Sequence, residues 1–387
     1  MKKLTQFLSY VLVALIASVL TLALSAPAST VDAGESKLDQ LSGIIQDRFI
    51  GEVDVTAMED AAAVAMIDAL GDRWSHYISA EDYGAYQNQM ANSYVGIGIT
   101  ITVREDGNGY NIEKVTKGGP AEEAGLLAGD VLIGAAGERF ENVTDTQASN
   151  VIRGEAGTSV EIVVRRGAEE LRFDVERRTI KTVAATGQML EGKVGLVTIS
   201  NFHSGCADET IAAVEDLMAQ GAEALIFDVR NNPGGYKNEL VKALDFLLPE
   251  GPLFRSLDYL GREEVDNSGP DHIDLPMAVL VNSESYSAAE FFAAAIREYE
   301  AGFIAGSQTC GKGYFQITIP LNDGSAVGLS VGKYFTPNGV SLAEEGGLTP
   351  DLVVEVDDET FYAIYSGALE PEKDPQIQAA LARLLQK

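Results

Sequence analysis

Met277-Ala278-Val279-Leu280-Val281 runs into Asn282-Ser283-Glu284-Ser285-Tyr286-Ser287-Ala288-Ala289-Glu290, and this stretch decides the fold. Five consecutive apolar residues suit a strand buried on both faces. A serine-rich loop follows, and Ser287–Tyr299 has helical character. Strand, loop and helix in that order make one unit of a sheet covered by helices. The pattern repeats outward: Val194–Ile199 reads as a strand, Asp208–Gln220 as a helix, Ala224–Val229 as a strand, Tyr236–Leu248 as a helix and Phe303–Ala305 as a strand. Asp374-Pro375 opens a final amphipathic helix with Ile377, Leu381, Leu384 and Leu385 on one face.

Three loops follow three of these strands: Asn231–Gly235, Asn282–Ser287 and Gly306–Gly313. Loops at the carboxyl ends of sheet strands are where α/β proteins build their sites. The last loop ends in Gly311-Lys312-Gly313 and leads to Gln316. A serine hydroxyl is a poor nucleophile until a base takes its proton. A lysine serves as that base only when burial or neighbouring charge lowers its proton affinity. Ser287 and Lys312 are therefore the candidate nucleophile and base, with Gln316 placed to orient the amine. Ser287 begins a helix, so the backbone N–H of Ala288 points toward a developing oxyanion. Gly234 or Gly235 offers the second donor, where only glycine permits close approach. Each part alone has an ordinary reading: a turn with a solvated lysine, a turn at Asn232-Pro233-Gly234-Gly235, and a serine helix cap.

The 387 residues allow two or three domains. A net charge of -30, from 58 acidic against 28 basic residues, argues against nucleic acid and against a basic membrane-docking patch. The 39 glycines and 46% hydrophobic content fit a turn-rich globular chain. Lys2 and Lys3 precede an apolar run from Phe7 to Leu24, and Ala23-Leu24-Ser25 offers a small-x-small cleavage site. Residues 1–25 thus read as a cleaved export signal or a retained membrane anchor, and either places the remainder outside the cytoplasmic membrane. There, Cys206 and Cys310 are permitted a disulfide, although two unpaired thiols is the plainer expectation. His76, His203 and His272 show no metal-ligand spacing with the cysteines.

Ser36–Phe49 and Thr56–Leu70 read as two helices, the second opened by a Thr56/Glu59 capping box and followed by Gly71 at its C-cap. With the C-terminal helix they offer a homodimer interface or pack internally. Leu70-Gly71-Asp72-Arg73-Trp74-Ser75-His76-Tyr77, which holds the single tryptophan, reads as a packed helix-end turn. From Tyr94 short strands take over. Ile97, Ile99, Ile101 and Val103 alternate up to a turn at Asp106-Gly107-Asn108-Gly109. A short helix lies between Gly119-Pro120-Ala121 and Ala124-Gly125-Leu126, a turn at Gly129-Asp130 precedes a strand, and Thr144–Arg153 is a second helix. Val160–Arg165 and Leu171–Glu176 pair across Arg166-Gly167.

The order of Tyr94-Val95-Gly96-Ile97-Gly98-Ile99, Gly119–Leu126, Gly129-Asp130 and Ile152–Thr158 resembles a PDZ domain. That resemblance implies that the loop and strand at Tyr94, Val95, Gly96, Ile97, Gly98 and Ile99 receive a peptide's terminal carboxylate, the peptide adding as a strand. Over roughly residues 36–387 the chain is similar to the carboxyl-terminal processing proteases, serine proteases with a PDZ domain, also called tail-specific proteases. Leu70–Tyr77, Asp228–Gly235, Asn282–Glu290, Gly311–Gln316, Leu348-Thr349-Pro350-Asp351 and Lys373-Asp374-Pro375-Gln376 stand in family order. The resemblance implies that Ser287 is the nucleophile, Lys312 the general base and Gln316 its partner. It implies that Asn231–Gly235 and Ala288 serve the oxyanion. It also implies that Arg153 links peptide binding in the PDZ domain to the core, that substrates are proteins or peptides with free C-termini, and that no cofactor or metal is needed.

The expected fold class is therefore mixed α/β and multidomain. A helical N-terminal region spans 36–93, a β-rich PDZ domain 94–180, and an α/β protease core with its C-terminal helix 181–387. The sequence departs from the family pattern at Tyr286, where alanine is usual, and at Cys310, where phenylalanine is usual. Glu298 stands where an acid is sometimes found. Three rival readings compete. Gly306–Lys312 approaches a phosphate-binding loop, but Gly313 replaces its Ser/Thr and a strand follows where a helix is required. A Ser-His-Asp hydrolase using His203 lacks the Gly-x-Ser-x-Gly elbow. A non-catalytic PDZ scaffold on a protease-like fold draws support from Tyr286 and Cys310.

Overall fold

A computed structural model describes residues 36–386 except 105. The segment 1–25 read as a signal or anchor lies outside the described residues. The chain divides into two compact units, Met1–Met66 and Ile67–Lys387. The described part of the first is helical. Lys37–Arg48 opens with a capping box between Ser36 and Asp39, and it buries no residue. The helix Val55–Asp68 also buries none. The expected Thr56/Glu59 box does not form. The helix starts earlier, and Asp54 accepts from Ala57 N–H at 3.0 Å, leaving Thr56 inside the first turn. Among the described residues no helix is long and apolar enough to cross a membrane.

The second unit is built on a six-stranded sheet. In spatial order it runs Ala185–Met189, Val194–Ile199, Ala224–Asp228, Met277–Val281, Gly302–Gly306, Leu352–Val353. The first pair is antiparallel and the others parallel. Ala224–Asp228 and Met277–Val281 are buried at every position, as strands covered on both faces must be. Their side chains alternate between two cores. Leu225, Phe227, Met277, Val279 and Val281 join the core under Cys206–Ala219, Lys237–Leu247 and Ala288–Glu298. Ala224, Ile226, Ala278 and Leu280 join the one closed by Ile377, Ala380 and Leu381 of the terminal helix Pro375–Leu385. Leu385 is 46% exposed, so the apolar face of that helix stops short of its last residue. Asp374 caps the helix as expected, accepting from Gln376 and Ile377 N–H.

A second, antiparallel sheet orders His76–Ile78, Ala326–Phe335, Gly251–Asp258 and Glu263–Ser268, with Tyr314–Pro320 also paired to Ala326–Phe335. Most of it escaped the sequence reading, as did the helix Ala80–Met90, which Ser79 caps by accepting from Asp82 N–H. The PDZ-like sheet orders Ile99–Val103, Tyr110–Val115, Val131–Ala135, Ser159–Arg166 and Glu169–Glu176. It closes over Ile112, Leu132, Phe140 and Ile162. The helices Pro120–Ala124 and Asp145–Ile152 belong to it, the second opened by a Thr144/Gln147 capping box. Ser93–Gly96 pairs with Arg178–Lys181, so the two ends of this module lie side by side.

Candidate active site

The turn from Val281 to Ser287 is laced to the loop after the neighbouring strand. Asn282 Oδ1 accepts from Asn231 N–H at 3.0 Å, and Asn282 Nδ2 donates to Asn231 Oδ1 at 2.8 Å. Ser285 Oγ donates to Val229 O at 2.7 Å, and Tyr286 N–H donates to Asn232 O at 3.2 Å. These bonds hold Ser287 at φ 57, ψ -125, where a residue with a Cβ rarely sits. Strain of this kind persists only where the surroundings over-determine it, and it gathers at functional sites. Ser287 is 5% exposed and begins the helix Ala288–Glu298.

Glu290 ties the serine to the lysine. It is wholly buried. One carboxylate oxygen accepts from Ser287 N–H at 3.0 Å and Lys312 N–H at 2.9 Å. The other accepts from Gly311 N–H at 2.8 Å and from the Thr309 hydroxyl. Burial pushes its carboxyl upward, against the pull of these four donors. The flanking glycines are sterically required: a Cβ on Gly311 would stand 2.8 Å from Gly347 N, and one on Gly313 2.7 Å from the Ala343 Cβ.

Burial pulls the Lys312 amine down to about 8, with Arg73 adding to the effect and Cys310, Asp72 and Glu290 opposing it. The amine lies 4.7 Å from the Trp74 ring centroid and 6.0 Å from that of Tyr286. Among the described residues it makes no ion pair, and no hydrogen bond joins it to Ser287. Trp74 is thus more than the packed turn expected of it. Gln316 donates through Nε2 to Tyr314 O at 3.1 Å and Ser330 Oγ at 2.9 Å, so its nitrogen is already engaged. Tyr334 packs between Phe254, Phe291 and Phe315. Burial pushes its hydroxyl far up, with Ser287 as polar neighbour.

The two glycines divide their tasks. A Cβ on Gly234 would meet the Ser287 Cβ at 2.8 Å and Ala288 N at 2.9 Å, so its absence lets the two loops touch. The Gly234 N–H, however, is spent on Asn232 Oδ1 at 2.8 Å. It is not a free donor. No bond takes up the N–H of Gly235 or Ala288 among the described residues, and Gly235 shares a cavity with Ser287.

That cavity, about 740 Å³, also holds Lys312, Gln316, His203 and Tyr334, and Tyr83, Tyr86, Gln87 and Met90 of the helix Ala80–Met90 form one wall. Residues three, four and seven apart share a helix face, which was the available sign of this wall. His203 Nδ1 donates to Gln89 O, 3.0 Å away, and burial lowers the ring's proton affinity. A larger cavity of about 880 Å³ sits at the amino ends of the strands, beside Val194, Ala224, Met277 and Gly302, and contains none of these groups. Cys206 and Cys310 are both free. In the PDZ-like module, Tyr94, Gly96, Ile97, Gly98 and Ile99 line a groove of about 170 Å³ with Ile152 and Arg153. Val95 instead faces an adjoining cavity of about 680 Å³ shared by Tyr94, Arg153, His203 and Pro233. The Ile97 side chain is 1% exposed and belongs to the module's core.

Comparison with known proteins adds to this geometry. Residues 193–354 match peptidase family S41, and residues 112–166 match the PDZ domain family. The carboxy-terminal processing protease CtpA of Bacillus subtilis strain 168 is 29% identical over 92% of this chain and 78% of its own length. A CtpA-like serine protease of Staphylococcus aureus strain N315 is 28% identical over 84% of this chain. The match spans 66% of that relative, just under two thirds of its length. The crystal structure of an S41 family protein of Bacteroides fragilis shares the fold with a TM-score of 0.53 at 16% identity, over 89% of this chain and 96% of that one.

Proposed function

Because the chain combines a peptidase family S41 segment with a PDZ domain, we propose that it is a serine endopeptidase that cleaves proteins near their C-termini with a Ser287–Lys312 dyad. One observation carries the reading: a strained, buried serine at a helix start shares a cavity with a lysine whose amine is pulled down to about 8. Near neutral pH an appreciable fraction of that amine is free to accept a proton, which an ordinary lysine at 10.5 is not. Lys312 takes the Ser287 proton as Oγ attacks the substrate carbonyl carbon. The oxyanion that forms is met by the N–H groups of Ala288 and Gly235, with Gly234 supplying the close approach rather than a donor. The lysine ammonium passes its proton to the leaving amine as the peptide bond breaks, and water hydrolyses the acyl-enzyme by the same route in reverse. Gln316, its nitrogen held by Ser330, keeps its oxygen for the ammonium.

The PDZ groove receives the substrate's terminal carboxylate at the N–H groups near Ile97 and Gly98, while alternate residues of the edge strand hold the extended peptide. Arg153 lines both this groove and the cavity that reaches His203 and Pro233, so a bound C-terminus is felt at the loop that carries Gly235. The chain acts outside the cytoplasmic membrane, a reading supported by Lys2, Lys3 and the apolar run after them, and N-terminal sequencing of the exported protein distinguishes cleavage from anchoring. The exposed Leu38, Leu41 and Ile44 of Lys37–Arg48 suit a second copy of this chain, which sedimentation equilibrium detects.

The test is cleavage of an unstructured peptide with a free apolar C-terminus by the soluble part. Wild type cleaves; Ser287→Ala and Lys312→Ala do not. Amidating the peptide's C-terminus, or replacing Arg153 by Ala, removes the stimulation that the terminus provides. A wild-type protein that binds the peptide and never cuts it is a scaffold, and the dyad reading falls.

A further inference from the structure

Among the described residues no ion pair or hydrogen bond engages the Lys312 amine, and it lies over two ring faces. Trp74 and Tyr286 stand 6.1 Å apart at an interplanar angle of 34°, forming a wedge, and the amine sits 4.7 Å from one centroid and 6.0 Å from the other. Cations are drawn to ring faces within about 6 Å. Both rings are held by backbone that the dyad itself depends on. Tyr286 immediately precedes Ser287, and its N–H is bound to Asn232 O. Trp74 lies in a turn fixed by Asp72, whose carboxylate accepts from Trp74 N–H at 3.1 Å and from Ser75 N–H at 3.1 Å. Ser75 Oγ in turn accepts from Ser330 N–H at 3.0 Å, and Ser330 is the residue that holds Gln316. On the Trp74 ring the Arg73 guanidinium also rests, 4.2 Å from its centroid, with a further contact to Cys310 Sγ at 3.6 Å.

We propose that Trp74 and Tyr286 are positioning residues: an aromatic seat that fixes the resting place of the Lys312 amine and keeps water from it. The inference rests on the reading of Lys312 as the base. The seat acts in two opposing ways. Ring faces attract the ammonium. They also exclude the water that would solvate it better, which favours the neutral amine. Burial is the largest influence on this amine, so exclusion of water wins. The charged and titratable groups facing it are Asp72 and Arg73 from the turn before Trp74, Glu290 from the serine's helix, and Cys310 from its own loop. Tyr286 adds its ring, and Tyr334, His76, His203, Tyr83, Tyr86 and Tyr236 line the same cavity. None of them supplies a direct ion pair, which leaves the rings as the contacts that define the amine's place.

The two effects separate by substitution. Tyr286→Ala opens the wedge to water, and Trp74→Leu removes a ring face while keeping an apolar wall. The experiment labels lysine Cε with carbon-13 in the full chain carrying Ser287→Ala, identifies Lys312 by the signal lost in Lys312→Arg, and titrates it by NMR. Tyr286→Ala raises the midpoint by about one pH unit, Trp74→Leu lowers it, and Tyr286→Phe leaves it in place. With Ser287 restored, the acid limb of kcat/KM follows the same shifts. Midpoints that coincide with the parent in both Tyr286→Ala and Trp74→Leu, in chains that melt normally, overturn the seat. Should Tyr286→Ala not fold, the downward shift in Trp74→Leu decides alone. The titration needs no turnover, so shifted midpoints in an inert protein would keep the seat and remove only the catalytic reading.

Discussion

With its amine drawn from 10.5 to about 8 by burial, Lys312 is held neutral more easily than charged in the folded chain. Below about pH 8 the amine is protonated in folded and unfolded chains alike, so the full cost of burying charge weighs on the fold. Between about 8 and 10.5 the unfolded chain keeps a proton that the folded chain has released, and stability rises with pH. Above that window the amine is neutral in both states and the cost is gone. Lys312→Met is therefore expected to stabilise the protein by about 2 kcal/mol at pH 7, a figure reduced for the amine's residual contact with water. The gain shrinks through the window and vanishes near pH 11, while cleavage is abolished at every pH. Urea denaturation across this range reads it, and a variant no more stable than wild type at pH 7 would mean the amine is not desolvated. Glu290 shows the complementary economy. Its four donors include the N–H groups of both Ser287 and Lys312, so one buried carboxylate sets the geometry of both.

At the scale of elements, the loop Asn231–Gly235 hangs from an ionic cluster at the end of its strand. Arg230 pairs with Asp228 at 2.6 Å and with Asp374 at 2.8 Å, and donates to Gln376 Oε1 at 2.9 Å. Arg230 and Asp374 side chains are 3% and 2% exposed, so the parallel sheet and the terminal helix are joined through buried charge. Removing one member of such a cluster leaves uncompensated charge, at a cost of about 3–5 kcal/mol. Arg230→Met is expected to lower stability by that amount in denaturant titrations and to weaken turnover in what remains folded, because Gly235 loses its footing. A loss below about 1 kcal/mol would show that the cluster behaves as a surface pair. The strands on either side of this loop were legible in the sequence because burial on both faces leaves an unbroken apolar run, and the helices after them because their apolar periodicity is local. The helix Ala80–Met90 was not, since its stripe of Tyr83, Tyr86, Gln87 and Met90 faces a cavity rather than a core and so is not apolar throughout. Ser287, Lys312 and their glycines announced themselves by residue type. Trp74 did not, because its partner Lys312 is remote in the chain and only the tertiary fold brings them together. The spent N–H of Gly234 was equally hidden, being decided by where one asparagine side chain turns.

Across the whole molecule, the charge of -30 is excluded from the cavity that holds Ser287. Among the described residues no Asp or Glu lines that space, and Lys312, His76 and His203 are its basic groups. Acids are thus kept out of the lining itself, while Asp72 and Glu290 favour the lysine's charged form from outside it, and the net charge of -30 gives the molecule as a whole a negative field. Such a field acts on encounter rather than on chemistry: it draws cationic chains toward the cavity, repels anionic ones, and weakens as salt shortens its reach to about 8 Å at physiological strength. Two unstructured peptides with the same apolar C-terminus and the same residues about the cleaved bond, differing only in distant lysines or glutamates, test this. At low salt the lysine peptide is expected to show the higher kcat/KM, by about tenfold. Raising salt should lower kcat/KM for the lysine peptide and raise it for the glutamate peptide until the two converge, with kcat unchanged for both. If the difference persists in kcat, or if salt moves both peptides in the same direction, the acids act within the site and long-range steering is not the cause.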